Sequence, residues 1–360
     1  MTSDPAGIAG GSGFTIEGAN RAARCNSEDT NVHKTFLVVT IDTEEDQWGP
    51  HDGETSVSNL SSIPRLQSLF DSYGVMPTYL VSYPVASDNG SSAILRGILN
   101  SGRCEIGAHL HPWNTPPVRE EATNRNSMLG NLPYELQYEK VVSITEFLTR
   151  RFGARPTSFR TGRWGLGKET IKALISCGYL VDSSVTPFIS WEAYEGPSFV
   201  SAPFEPYFID SAGKISVESK NDAILEIPAT VGYSRWPFKR LRIAERILER
   251  MPSCLHAAGL ASRMNIVRKI WMDPETETSR NMDLLSRVLL GRGVGALNMF
   301  FHSNSLVPGL TPFIKTETEL EDFYRRLSTF FRGFLAHRDV ESTTLSRVGE
   351  SIREDRIEAS

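Results

Sequence analysis

The chain has 360 residues, 40% of them hydrophobic, which is enough for one large or two ordinary domains with a sizeable buried core. Its formal net charge of -5 and isoelectric point near 5.9 argue against nucleic acid as the main partner, because a phosphate-binding face normally leaves a chain basic. Four scattered cysteines, Cys25, Cys104, Cys177 and Cys254, lack C-x-x-C spacing and suggest neither a disulfide framework nor a thiolate zinc knuckle, so reduced thiols are expected.

Residues 1 to about 33 are rich in Gly, Ala, Ser and Asn and poor in large apolar residues, so a flexible tail is expected there. That segment has neither a basic n-region nor an apolar h-region, and no run approaches the length of a transmembrane helix; the expected location is cytoplasmic. From Lys34 onward, apolar β-rich runs alternate with helical patterns. FLVVTID (36–42) is followed by the amphipathic SIPRLQSLFDSYG, then PTYLVS (77–82) and CEIGAH (104–109). YELQYEKVVSITEFLTRRFG leads into TSFR (157–160), and KETIKALISCGY into YLVDS (179–183); AILEIP (223–228) and ALNMFFH (296–302) complete the series. Several of the helical stretches end at a glycine in the position expected just past a helix. Strands alternating with helices mean a parallel sheet, and seven such units predict a closed or nearly closed (β/α) barrel, whose chemistry lies where strands end.

The strand ends carry ionisable residues. In TIDTEED, Asp42 and Glu44 are two apart, so on a persisting strand both point to one side while Thr43 and Glu45 point to the other. The same spacing applies to His109 and His111 in EIGAHLHPW. Two imidazoles and the Glu44 carboxylate can hold one divalent ion with a position left open for water, as in hydrolytic zinc sites, while a second carboxylate accepts a proton. A solvated acidic loop and a solvated histidine pair are the plainer alternatives. Arg160 closes a short strand, where a guanidinium either orients Asp42 or forms a salt bridge at the barrel rim. In the glycine-bounded loop that follows, Trp164 can stack on a sugar ring and Arg163 can bind an anionic group. Asp182 either supports a histidine or caps a turn. His302, after the last apolar run, either donates a proton to a leaving group or is structural.

Taken together and in order, TIDTEED, EIGAHLHPW, FRTGRWGLG, VDSSVTP and MFFHSNSLVPG resemble the polysaccharide deacetylases of the NodB homology type, carbohydrate esterase family 4. The resemblance is closer to their WalW-like branch and runs from about Phe36 to Phe334. It implies a distorted (β/α)7 barrel that removes acetyl groups from N-acetylated sugars by means of a metal-bound water. It further implies Asp42 as general base, Glu44 and His109 as metal ligands, Arg160 as the partner orienting the base, and His302 as general acid. Zinc is the first expectation, with cobalt, nickel or manganese as alternatives. Two departures stand out: Thr43 fills the place of the family's second aspartate, and the position four after His109 is Trp113, so His111 is expected to take the second histidine's role. Trp113, Arg163 and Trp164 are the expected substrate-binding residues. Two alternatives are an amidohydrolase acting on another small C–N bond and a catalytically silent sugar-binding relative that keeps Trp48, Trp113, Trp164 and Trp191 as a stacking surface.

The expected organisation is a tail (1–33), a barrel (34–338) with a basic helical insertion at about 235–270, and a C-terminal tail (339–360). Between Arg235 and Lys269 there are nine Lys and Arg against two Glu, and Leu241, Ile243, Ala244, Ile247, Leu248 and Met251 follow helical spacing. Such a stretch either packs on the barrel with a solvated basic face or docks on anionic membrane lipid, where the substrate sugar would be lipid-linked.

Overall fold

Nine consecutive residues, TFLVVTIDT, form β1 (Thr35–Thr43), and all but Phe36 are buried, as expected of a parallel strand covered on both faces. In a computed structural model, which describes residues 34–50, 55–216, 222–249 and 268–358, β1 lies near one end of an extended sheet. The expected N-terminal tail, Cys25 and Cys254 lie outside the described residues. Each of the other predicted runs also contains a strand: β2 (Pro77–Val81), β3 (Glu105–Leu110), β4 (Ser158–Thr161), β5 (Val181–Asp182), β8 (Ala223–Glu226) and β11 (Ala296–His302). All are parallel neighbours in the order β11-β1-β2-β3-β4-β5-β8.

The intervening helices follow from local sequence. Helix Ile63–Tyr73 ends at Gly74 (φ 66°) and helix Tyr134–Phe152 at Gly153 (φ 84°), left-handed positions that favour glycine. Among the described residues, no helix is long and apolar enough to cross a membrane.

Strand pairing alone does not close the barrel. Beyond β8, the strands β6 (Tyr207–Asp210) and β7 (Ile215–Ser216) add an antiparallel hairpin. This hairpin departs from the purely parallel expectation; its turn is set by the Asp210 carboxylate, which accepts from the Ala212 and Lys214 amides at 3.0 and 2.8 Å. The gap toward β11 is spanned by β9 (Val231–Tyr233) and β10 (Lys269–Trp271), a separate antiparallel pair. There the Thr230 amide donates to the Asn298 carbonyl at 3.0 Å and the Phe300 amide to the Met272 carbonyl at 3.1 Å.

The bore is layered. Val38, Leu80, Val181, Leu225 and Ala296, one from each of five strands, form an apolar floor with Leu345 and Val348. Those last two residues belong to a helix, Leu345–Glu358, that follows β12 (Val340–Ser342), which pairs with the first residues of β1. Residues 340–358 are therefore not the tail that was expected. Their exposed polar residues mask the few apolar ones that plug the bore. Above the floor is a polar layer: the Thr40 hydroxyl donates to Asn298 Oδ1 at 3.0 Å, and Asn298 Nδ2 donates to Ser183 Oγ at 2.8 Å. The C-terminal ends of the strands form the third layer.

Of the basic insertion, helix Phe238–Glu249 is present, with Ile243 and Trp236 exposed; residues 250–267 lie outside the described residues.

Candidate active site

A cavity of about 630 Å³ opens at the C-terminal end of the barrel. Sheet register sets its floor: Asp42 pairs across from His302, and His109 from Arg160. Glu44 and His111 come immediately after their strands and turn back to the same point.

Glu44 Oε2 lies 2.7 Å from His111 Nε2 and 3.4 Å from His109 Nε2, and the two Nε2 atoms are 3.0 Å apart. All three residues are buried, and their candidate ligand atoms lie within 4.8 Å of one another. His109 Nδ1 is 3.2 Å from the Arg160 carbonyl oxygen; an N–H must donate there, so in neutral His109 the Nε2 atom presents a lone pair. Two imidazole nitrogens that close repel each other unless a proton or a cation lies between them. The donor set thus fits a divalent ion, with three protein ligands of the type found in open, catalytic sites.

His111 is seated between Trp113, with ring centroids 4.2 Å apart, and Gly162, where a Cβ would collide with the imidazole. His111 Nδ1 has no hydrogen-bond partner among the described residues. Thr43, in contrast, turns away from the site and donates to the Ile41 carbonyl at 2.9 Å. Glu45 was expected to point with Thr43, yet it lines the cavity, because β1 ends at Thr43 and strand alternation ends with it.

The site's charges are matched in pairs. Arg160, fully buried, donates from Nη1 to Asp42 Oδ1 at 2.7 Å, from Nη2 to Thr40 and Ser183 hydroxyls at 2.8 and 2.9 Å, and from Nε to the Ser183 carbonyl at 2.7 Å. Burial opposes ionisation of Asp42, but the Arg160 guanidinium together with His109 and His302 outweighs it and holds the carboxyl below its ordinary value. Burial likewise opposes the charge on Glu44, and hydrogen bonds from His109 and His111 overcome it. For His109, burial is outweighed by the Asp42 and Glu44 carboxylates, which raise its pKa.

His302 Nε2 faces Asp42 Oδ2 at 3.9 Å, and its Nδ1 lies 2.9 Å from Glu275 Oε2. Glu275 also accepts from the His302 amide at 3.2 Å and from the Ser305 hydroxyl. Burial disfavours the imidazolium, but Glu275, followed by Glu44 and Asp42, raises the pKa to about 10. Sequence reasoning missed Glu275. It follows β10, whose three residues give no apolar run, and the acid-rich WMDPETET is the one signal that could have drawn attention.

Trp48, Trp113, Trp164, Trp191, Trp271 and Phe300 line the cavity walls together with Arg163. Trp48 meets the His302 ring edge-on at 4.9 Å, and the Arg160 guanidinium lies 5.1 Å from the centre of the Trp164 ring. Asp182 does not reach this group. It is buried beside Glu226 on the neighbouring strand and accepts from the Ser184 hydroxyl at 2.7 Å, which fits the turn-capping reading.

No protein-family model matches the sequence, and no curated protein is similar to it in sequence. Among solved structures, a Mycobacterium smegmatis protein assigned to the polysaccharide deacetylases is similar at 18% identity and TM-score 0.50, over 90% of this chain and 92% of that one. A Parabacteroides distasonis protein assigned as a glycoside hydrolase/deacetylase is 14% identical with TM-score 0.56, over 89% and 72% of the two chains. Puue allantoinase is 14% identical with TM-score 0.51, over 93% and 97%. At these identities the likeness is one of architecture, and the architecture of this chain is that of the NodB-type polysaccharide deacetylases, a distorted (β/α) barrel.

Proposed function

We propose that this chain is a metal-dependent hydrolase that removes an N-acetyl group from a sugar in surface polysaccharide or glycolipid biosynthesis. The reading rests on one observation: an open-sided Glu44–His109–His111 group shares a cavity with a carboxylate held ionised, Asp42, and an imidazole held protonated, His302. A divalent ion held by those three ligands, zinc first and cobalt, nickel or manganese as alternatives, supplies Lewis-acid polarisation of the acetyl carbonyl and acidifies water.

With Oδ1 engaged by Arg160, Asp42 keeps Oδ2 free to take a proton from the attacking water. His302, its Nδ1 anchored on Glu275, offers the Nε2 proton to the amine nitrogen as the C–N bond breaks. Water adds to the carbonyl carbon, and acetate and the free amine leave. Trp113, Trp164 and Arg163 hold the sugar against the cavity wall. Contact with anionic lipid through 235–270 is a separate part of the proposal; charge reversal at Lys239, Arg240 and Arg242 should abolish binding to anionic vesicles.

A second reading, an amidohydrolase on another small C–N substrate, is favoured by the likeness in fold to Puue allantoinase. Acetate release from N-acetylglucosamine oligomers, compared with hydrolysis of small cyclic amides, separates the two. About one equivalent of metal in the parent and none in a Glu44→Ala, His109→Ala double variant is the expected elemental analysis. A parent that stays metal-free after reconstitution would overturn the mechanism.

A further inference from the structure

Arg163 and Trp164 are consecutive residues in left-handed backbone, φ 55° and 58°, a conformation that L side chains rarely adopt and that concentrates at functional sites. The turn lies between Gly162 and Gly165 and brings both side chains to the cavity wall. Arg163 Nη1 donates to Asn124 Oδ1 at 2.9 Å and to the Ser127 hydroxyl. Both acceptors are neutral. Among the described residues, Nε and Nη2 have no protein acceptor, and no carboxylate forms an ion pair with this guanidinium. Arg163 is half-buried, and burial works against its charge, offset only in part by the Tyr194 phenol and by no carboxylate among the described residues.

The other charged groups of the cavity already have partners. Asp42 is paired with Arg160, Glu44 with the two histidines, and Glu275 with His302. Asp273 caps its own loop through the Glu275 amide and the Thr276 hydroxyl, both at 2.7 Å. Glu45 accepts from Asn114 Nδ2 at 2.6 Å and from the Ser82 hydroxyl at 3.4 Å. Arg163 therefore presents the cavity's one cationic group without a counter-charge among the described residues, and its free Nε–Nη2 edge is the edge that grips a planar or tetrahedral oxyanion with two parallel N–H donors.

We infer that the cavity is built for an acidic sugar, one that carries a carboxylate or phosphate group, and that Arg163 selects it by receiving that oxyanion on its Nε–Nη2 edge. The sugar half of this inference rests on the deacetylase reading; the oxyanion half rests on Arg163 alone.

The test is binding, measured calorimetrically on the metal-loaded full chain with three probes: N-acetylglucosamine, its 1-phosphate, and its 6-carboxylate (the uronic acid). At least one acidic probe is expected to bind tenfold or more tighter than the neutral sugar. Arg163→Gln is expected to bind all three alike, and Arg163→Lys, which keeps the charge but loses the fork, to recover part of the preference. The two acidic arms tell carboxylate from phosphate, and thermal melts confirm that the variants fold. Equal binding of all three by the parent, or a preference that survives in Arg163→Gln, would overturn the inference. Acetate release on the same sugars is scored separately. Release without an acidic preference sinks only the Arg163 proposal, a preference without release sinks only the deacetylase reading, and failure of every probe to bind overturns both.

Discussion

His302 and Glu275 are joined at 2.9 Å, Nδ1 to Oε2, although 27 residues separate them in the chain. The contact directs the other ring nitrogen toward Asp42 and raises the imidazole pKa to about 10 despite its burial. Because this value lies above the roughly 6.5 of an unfolded histidine, the pair contributes stability that is fully present below about pH 6.5 and is lost as pH rises toward 10. In Glu275→Gln the His302 midpoint, followed by carbon-13 NMR of the histidine rings, should fall by more than one pH unit. A midpoint that stays near 10 would show that Glu275 is not the cause.

Among the described residues, Arg160 is the fully buried cation that pairs with Asp42. Arg160→Met strands that carboxylate and should cost about 3–5 kcal/mol in chemical denaturation. The Asp42→Asn, Arg160→Met double variant should lose less than the sum of the single variants, since it removes both charges. Strict additivity would mean that the pair is not coupled.

Metal binding should compete with protons. Glu44 and Asp42 raise the pKa of His109, so affinity for zinc should climb as pH rises through the titration of that imidazole and fall steeply in acid. Calorimetry in two buffers of different ionisation enthalpy should give different observed heats, the sign of proton release on binding, and identical observed heats in the two buffers would count against it.

Gly162→Ala places a methyl group against the His111 imidazole. Zinc affinity should drop roughly 10–100-fold, in line with other substitutions that displace a ligand's support. Circular dichroism should show the fold retained. Undiminished affinity would remove His111 from the ligand set.

Lys140 is a fully buried ammonium whose Nζ lies 2.8, 2.8 and 2.7 Å from the carbonyl oxygens of Pro112, Thr115 and Pro117 and 3.0 Å from Glu120 Oε1. It pins the loop that carries His111 and Trp113. Lys140→Met leaves those acceptors unsatisfied and should cost roughly 3 kcal/mol in stability, with a parallel loss of zinc affinity. A variant with parental stability would show that the loop holds itself.

Much of the barrel could be read directly from the chain. Buried parallel strands are near-continuous apolar runs, so FLVVTID and ALNMFFH announce themselves, and glycines such as Gly74 and Gly153 mark where helices must end. The short antiparallel pieces stayed hidden: two- and three-residue strands such as β7, β9 and β10 bury too little to leave a periodic pattern.

The site divides along the same line. Spacing within one segment was enough to bring Asp42 and Glu44, or His109 and His111, to one end of a strand, because side-chain alternation is a local property of the backbone. That Glu44 reaches both histidines, that Glu45 also faces the cavity, that Glu275 anchors His302 and that Arg163 has no counter-ion among the described residues were decided only by tertiary structure. These relationships join loops beyond the strand ends, where alternation no longer applies, and depend on which segments the sheet order makes neighbours.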